Sequence, residues 1–236
     1  PFYETGLIEK NPPSEVDVQI HIDLIKKVKP HQIFAAGDFA DPYAIITTLS
    51  RFFALTGSYL SIIGLLLIAR IPPVENALGH DRLVVWHRKA MPYALYMITA
   101  HVLLVALGYA GSEGIVVGRE VWEMVTTYPW MLPAFAGFIR LIMAGVTSYK
   151  SVRNQITYET WWVIHLYTYL GVALAFMHQI LTGGMFIGHP LNRAYWIGLY
   201  IAVVIAIVTW RIAIPVIRSF KHRLRLSKIQ VEGPGV

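Results

Sequence analysis

The residues in this chain whose types and spacing could do chemistry are histidines, and four of the nine fall inside long apolar runs. His87 and His101 lie on one run, His165 and His178 on another. An ionisable side chain within an apolar span is costly and is functional by default. His87 and His101 are 14 residues apart, roughly 21 Å along a helix. His165 and His178 are 13 apart, roughly 19.5 Å. If the two runs are parallel spans, each offers one imidazole near each membrane face, at matching depths. Two imidazoles that face each other across two helices form an axial pair for a haem iron, and helical bundles build such sites from facing side chains. On this reading His87 with His165 holds an inner haem and His101 with His178 an outer one. With both axial positions filled the iron has no open site, which favours electron transfer over oxygen binding.

The angular arithmetic fits one helix better than the other. Fourteen residues leave His101 about 40° from His87, almost the same face, whereas thirteen leave His178 about 140° from His165. The second helix must therefore bend or bulge, with Gly171 as the candidate bend point, or the two haems must be rotated relative to each other. The plainer alternative is that each histidine makes an interhelical hydrogen bond. The other five read as solvated or loop residues. His21 and His31 lie in a polar segment, His80 in a loop, His189 before Pro190, and His222 in a basic tail.

The elements that must position these residues follow from composition. The chain has 236 residues, 56% of them hydrophobic, with a mean hydropathy of +0.52. Only 14% are charged, against about 25% for a soluble domain. Residues 1–42 carry a net −3 and residues 43–236 a net +9. These figures exclude a disordered chain, a nucleic-acid-binding domain and one ordinary soluble core, and imply a polar N-terminal segment followed by a membrane domain. Cysteine is absent, so a disulfide, a thiolate metal site and covalent c-type haem attachment are all excluded within these residues.

Five apolar stretches reach the length of about 20 residues that a span requires. Helix A is expected over 44–71, ended by Pro72 and Pro73, and helix B over 83–111. Helix C is expected over 129–149, interrupted by Arg140. Helix D lies within 160–192 and ends near Gly183 and Gly184. Helix E runs over 193–218, with Pro215 near its end. The fold class is thus an all-α membrane bundle. In the polar segment, 17–28 reads as a short amphipathic helix and 32–36 as a short strand. No signal peptide is visible, and the chain reads as starting within a domain.

Basic residues in short loops set the orientation. Arg70, Arg82, Arg88 and Lys89 mark one side, together with Lys150, Arg153 and the tail that holds Arg218, Lys221, Arg223, Arg225 and Lys228. The A–B loop, the C–D loop and the C-terminus are therefore expected to be cytoplasmic, in a multi-pass plasma-membrane protein. Trp130, Trp161, Trp162 and Trp196 fall at expected helix ends, as interfacial belt residues do. Haem propionates need cationic or hydrogen-bonding partners. Arg51 and Arg193 are candidates at the outer face, and Arg88 and Arg211 at the inner one; the alternative for all four is snorkelling to the interface. Arg140 has no evident partner beyond Glu159 or a haem edge.

Three segments carry a family resemblance: "GHDRLVVWHRKAMPYALYMITAHVLLVALGYA", "ITYETWWVIHLYTYLGVALAFMHQILTG" and "NRAYWIGLYIAVVIAIVTWR". They resemble the ferric reductase-like transmembrane domain of the NADPH oxidase and ferric reductase superfamily, over about residues 41–228. The resemblance implies an oxidoreductase with two b-type haems on His87, His101, His165 and His178. It implies transmembrane electron transfer from cytoplasmic NAD(P)H and FAD to an external acceptor, either a ferric chelate or oxygen. No acid–base catalytic residue is required for that step, and none is assigned.

The sequence departs from that family in two ways. The family usually has six core helices, and here the first is replaced by residues 1–42. These resemble a fragment of a sugar deaminase of the glucosamine-6-phosphate deaminase type fused to a de-N-acetylase. In that fold an Asp-Pro precedes a His-x-x-His zinc element. Here Asp41-Pro42 precedes Tyr43, Ala44, Ile45 and Ile46, so no deaminase or deacetylase activity is expected, and the segment reads as foreign or truncated. Flavin and nicotinamide domains are also missing, since there is no G-x-G-x-x-G or other phosphate-cradling Gly loop. Residues 221–236 read as a basic tail and the opening of a flavin-binding barrel. FAD and NAD(P)H are therefore expected on a further domain or a partner reductase. The alternatives are a one-haem, quinone-linked membrane subunit, or a non-redox scaffold or transporter. Lipid is an expected partner and nucleic acid is not.

Overall fold

The computed structural model describes residues 41–222, which fall in the larger of the chain's two units, Asp38–Val236. The expected helix over 17–28 and strand over 32–36 lie outside the described residues, as does the tail from residue 223.

Every regular element among the described residues is helical. In chain order they are α1 (Pro42–Leu67), α2 (Pro72–Leu78), α3 (His80–Glu113), α4 (Val117–Thr127), α5 (Met131–Ser148), α6 (Lys150–Arg153), α7 (Tyr158–Leu166), α8 (Thr168–Thr182) and α9 (Pro190–Ile207). A π-helical stretch, Val208–Ala213, then leads into α10 (Ile214–His222). Five helical stretches are long and apolar enough to cross a membrane: α1, α3, α5, α7 with α8, and Pro190–Lys221. The described residues thus form an all-α membrane bundle with five candidate spans. Leu103, Phe52, Ile201 and Val204 stand exposed on these spans, as lipid-facing side chains do.

Local chemistry explains most of the boundaries. Asp41 caps α1 by accepting the Tyr43 N–H at 2.9 Å, and Pro42 fills the first helical position, where its missing N–H costs nothing. The Asp-Pro pair therefore serves here as a helix start. Pro72 and Pro73 do not end the first span. α1 stops at Leu67, and the two prolines open α2. Pro190 likewise moves the start of the last span three residues ahead of Arg193. Pro215 would collide with the Arg211 carbonyl in a regular helix, and the widened π turn over Val208–Ala213 precedes it.

The principal helix pairs are α1 with α3 and α5 with α8, while α9 packs on α1. Association between spans depends on close backbone approach, which small residues permit. A Cβ on Gly137 of α5 would lie 2.6 Å from the Gly171 carbonyl oxygen of α8, and one on Gly57 of α1 would lie 2.8 Å from Ile98 of α3. Gly171 is therefore a helix-crossing residue and not the bend point.

The bend lies four residues earlier. The helix breaks at Tyr167 between α7 and α8, and Thr168 Oγ1 donates to the His165 carbonyl at 2.7 Å. Arg140 of α5 stacks its guanidinium over the Tyr167 ring, 5.2 Å from its centre, and this contact answers the mid-span charge instead of Glu159. Trp196 is also corrected. It is only 1% exposed, with its indole N–H donated to Gln179 Oε1 at 2.8 Å, so it packs the interior and is not a belt residue. Trp130 and Trp162 are exposed, as belt residues should be.

Candidate functional site

The break at Tyr167 gives the His165–His178 span the freedom that a regular helix lacks. At one end of the bundle His165 of α7 meets His87 of α3, with ring centres 6.1 Å apart and planes at 75°. At the other end His178 of α8 lies within electrostatic range of His101 of α3. The two spans are thus parallel and bring the four histidines together as two pairs. All four side chains are half-buried.

The second ring nitrogen of each histidine decides what the first can do. His87 Nδ1 lies 3.0 Å from the Gly64 carbonyl of α1. His101 Nδ1 lies 3.1 Å from the Ser50 carbonyl of the same helix. A carbonyl can only accept, so both nitrogens carry the proton, and Nε2 is left with a free lone pair. This is the usual arrangement of a metal-ligating histidine, in which the outer nitrogen donates to a fixed acceptor. The register is regular: Ser50 and Gly64 are 14 residues apart on α1, as are His101 and His87 on the antiparallel α3. The partners on the other span are weaker. His165 Nδ1 is 3.4 Å from Ser148 Oγ, which also accepts the Trp161 indole N–H at 3.1 Å. His178 Nδ1 is buried and makes no hydrogen bond of regular geometry, although the Ala175 carbonyl one turn back on α8 lies beside the residue.

The arrangement fits a bis-imidazole metal centre. Two metal–imidazole bonds of about 2 Å, plus about 1.1 Å from nitrogen to ring centre on each side, separate the ring centres by about 6 Å. The His87–His165 distance matches this. The supporting groups Gly64, Ser50 and Ser148 are not legible from sequence, because a backbone carbonyl or a lone serine carries no motif. The 14-residue repeat on α1 becomes informative only once α1 is known to pack on α3.

The candidate arginines differ from one another. Arg51 is half-buried on α1, next to Ser50, while Arg193 is exposed in the first turn of α9. Arg88 is exposed. Arg211 donates to the Ile68 carbonyl at 2.7 Å and so caps the C-terminal end of α1, where a cation is favoured. His189 is exposed at the start of α9. Sequence reading also missed α4, a short helix that buries Glu120. Its carboxylate joins those of Glu113 and Glu123, with ligand atoms within 4.8 Å of one another. Burial first, then those two neighbours, raises the Glu120 pKa. Burial and the same carboxylates raise that of Tyr128.

The described residues therefore define a polytopic helical membrane protein with histidines from two parallel spans near one another. The family described as ferric reductase like transmembrane component matches residues 53–177, more than half of the chain. The chain belongs to that family. Membership suggests transmembrane electron transfer and oxidoreductase activity in general terms, and members of the family typically bind haem. Separately, 43 residues are 65% identical to a glucosamine-6-phosphate deaminase-like protein of Bacteroides thetaiotaomicron. That match covers 18% of this chain and 6% of the relative, so it carries no activity across. No solved structure matches the chain.

Proposed function

We propose that the chain conducts electrons across the plasma membrane through two bis-histidine b-type haems. The donor is a flavin and NAD(P)H domain or partner reductase on the cytoplasmic side, where the C-terminus lies. The acceptor is a ferric chelate or oxygen outside. Residues 43–220 form the haem domain, preceded by the polar segment 1–42 and followed by the basic tail 221–236. The observation that carries the reading is the His87–His165 spacing of 6.1 Å.

The haem, when bound, supplies reversible one-electron chemistry. The protein's own residues do the rest. His87 and His165 are placed to ligate the inner iron through Nε2, and His101 and His178 the outer one. Gly64 and Ser50 hold the α3 imidazoles in the ligating tautomer. The apolar side chains of the spans exclude water and set a low dielectric, which tunes the potential of a bound haem. Arg51, beside Ser50 on α1, and Arg193, in the first turn of α9, are the proposed charge partners for propionates. A membrane potential negative inside favours outward electron movement by about 2.3 kcal/mol per 100 mV.

Haem stoichiometry tests the reading directly. Purified, haem-supplemented protein should give a low-spin b-type spectrum with near two haems per chain. A single haem with quinol dependence would instead favour a quinone-linked subunit. The absence of a Soret band would leave a non-redox membrane protein.

A further inference from the structure

The two α3 histidines are held differently, and the difference rests on one buried residue. Ser50 is fully buried, with 0% exposure. Its hydroxyl donates to the His101 backbone carbonyl at 3.1 Å. That contact uses the only hydrogen on Oγ. Oγ nevertheless lies 2.9 Å from His101 Nδ1, so it must act there as an acceptor. The Ser50 carbonyl accepts from the same Nδ1 at 3.1 Å. One residue therefore presents two oxygens to a single N–H, while its own hydroxyl ties α1 to the backbone of α3. His87 has the Gly64 carbonyl at its Nδ1, and the residue there has no side chain to add a second oxygen.

We propose that Ser50 is a positioning residue for the His101–His178 centre. Its paired oxygens fix the His101 tautomer and make Nε2 more electron-donating, which lowers the reduction potential of that centre alone. The physical basis is general. Acceptors on the outer nitrogen raise the basicity of an imidazole ligand, and a stronger donor stabilises ferric over ferrous iron. The inference rests on the haem reading above and adds to it a named determinant of one potential. His178 has the Ala175 carbonyl of its own helix beside it but no hydrogen bond of regular geometry on Nδ1, so the better-formed support at this centre is that of Ser50.

The test is a potentiometric titration of the whole haem-loaded protein, followed by optical and electron paramagnetic resonance spectra. Two variants are compared with the wild type. Ser50→Ala removes the side-chain acceptor. Ser50→Cys keeps a side chain of similar shape but offers only a weak acceptor, and so guards against a mere cavity effect. In both, one redox component should move to higher potential while the other stays in place, with haem content still near two. At the potential that half-reduces the wild-type component, the Ser50→Ala component should be several-fold more reduced than oxidised. Its low-spin ferric signal should change and the other should not. The inference is overturned if both components keep their wild-type potentials, if they move together, or if a haem is lost from both variants alike. A wild-type protein that binds no haem would fail the haem reading, and this inference with it. A haem-loaded wild type whose potentials ignore Ser50 would fail this inference alone.

Discussion

The His87–His165 and His101–His178 ends of the bundle use the same residue types but are supported differently. At the first end His165 stacks on Trp161 with ring centres 5.0 Å apart, and the Arg153 guanidinium lies 4.9 Å over that indole. Trp161 and Ser148 belong to the ends of their helices, so this support lies at the rim of the bundle. At the second end the support comes from mid-helix groups, Ser50 above all, and His178 Nδ1 is enclosed without a hydrogen bond of regular geometry. One centre is therefore held from the interface and the other from the interior of the α1–α3 pair. Rim groups are free to respond to a partner that docks at that face, whereas interior groups are fixed once the helices pack.

Removing one ligand from each end is the strongest way to break the comparison. His87→Ala and His101→Ala should each take haem content from near two to near one per chain, as read by the pyridine haemochrome spectrum. The component that survives should be a different one in the two variants. Loss of the same component from both would show that the pairs are not independent centres. Unchanged haem content in both would remove the histidines from the site.

The second test strikes the contact between the ends. Gly137 and Gly171 let α5 and α8 meet backbone to backbone, and the obstacle facing a Cβ on Gly137 is a carbonyl at 2.6 Å that cannot rotate away. Gly137→Ala should destabilise the protein by about 1–3 kcal/mol through overpacking. Gly171→Ala, whose nearest obstacle is at 3.2 Å, should cost less. Thermal unfolding in detergent, followed through the Soret band, measures both. Equal and negligible effects would mean that these helices separate more easily than the contact implies.

How much of this was legible in advance depends on the kind of signal. The five spans were, because lipid requires long uncharged runs and the sequence displays them. So was the meeting of His87 with His165, since spacing along a helix translates directly into depth. The bend was legible as a necessity, from the 140° mismatch, but not as a place. Gly171 drew attention as the flexible residue, while the break sits at Tyr167, where Arg140 and Thr168 hold the turn. Proline was misread as a stop at Pro72 because both roles, closing one helix and opening the next, look alike in sequence. Trp196 was misplaced for a related reason. Nearness to a helix end does not say which face a residue occupies, and Gln179 draws its indole inward.

A smaller effect should come from the Arg140–Tyr167 contact, which belongs to the His87–His165 end. A cation over an aromatic face contributes about 0.5–2 kcal/mol. Tyr167→Leu should lower stability within that range and shift the component assigned to His165, leaving the other component unmoved. Tyr167→Phe keeps the ring face and should behave as wild type. If Leu and Phe behave alike, the ring face plays no part and the bend is held by Thr168.

The smallest expected effect lies at the opposite end, on α4. Glu120 is buried beside Glu113 and Glu123, and the Arg119 guanidinium lies 2.9 Å from Glu123 rather than beside Glu120. Burial and the two carboxylates raise the Glu120 pKa above its ordinary 4.5. The native state therefore holds this proton more tightly than the unfolded state does. By linkage, stability declines as pH rises from about 4.5 through the raised value, and levels off above it. Glu120→Gln removes the titrating group while keeping its shape. Melting temperatures in detergent should therefore fall less steeply with pH in the variant than in the wild type across that window, and the variant should be the more stable of the two at neutral pH. Every other ionisable group is common to both proteins and cancels in the difference. Haem content and both potentials should be unchanged, because the groups that act on Glu120 are Glu113 and Glu123 and not the histidines. A difference curve that is flat with pH would mean that Glu120 ionises in the native state as freely as in the unfolded chain.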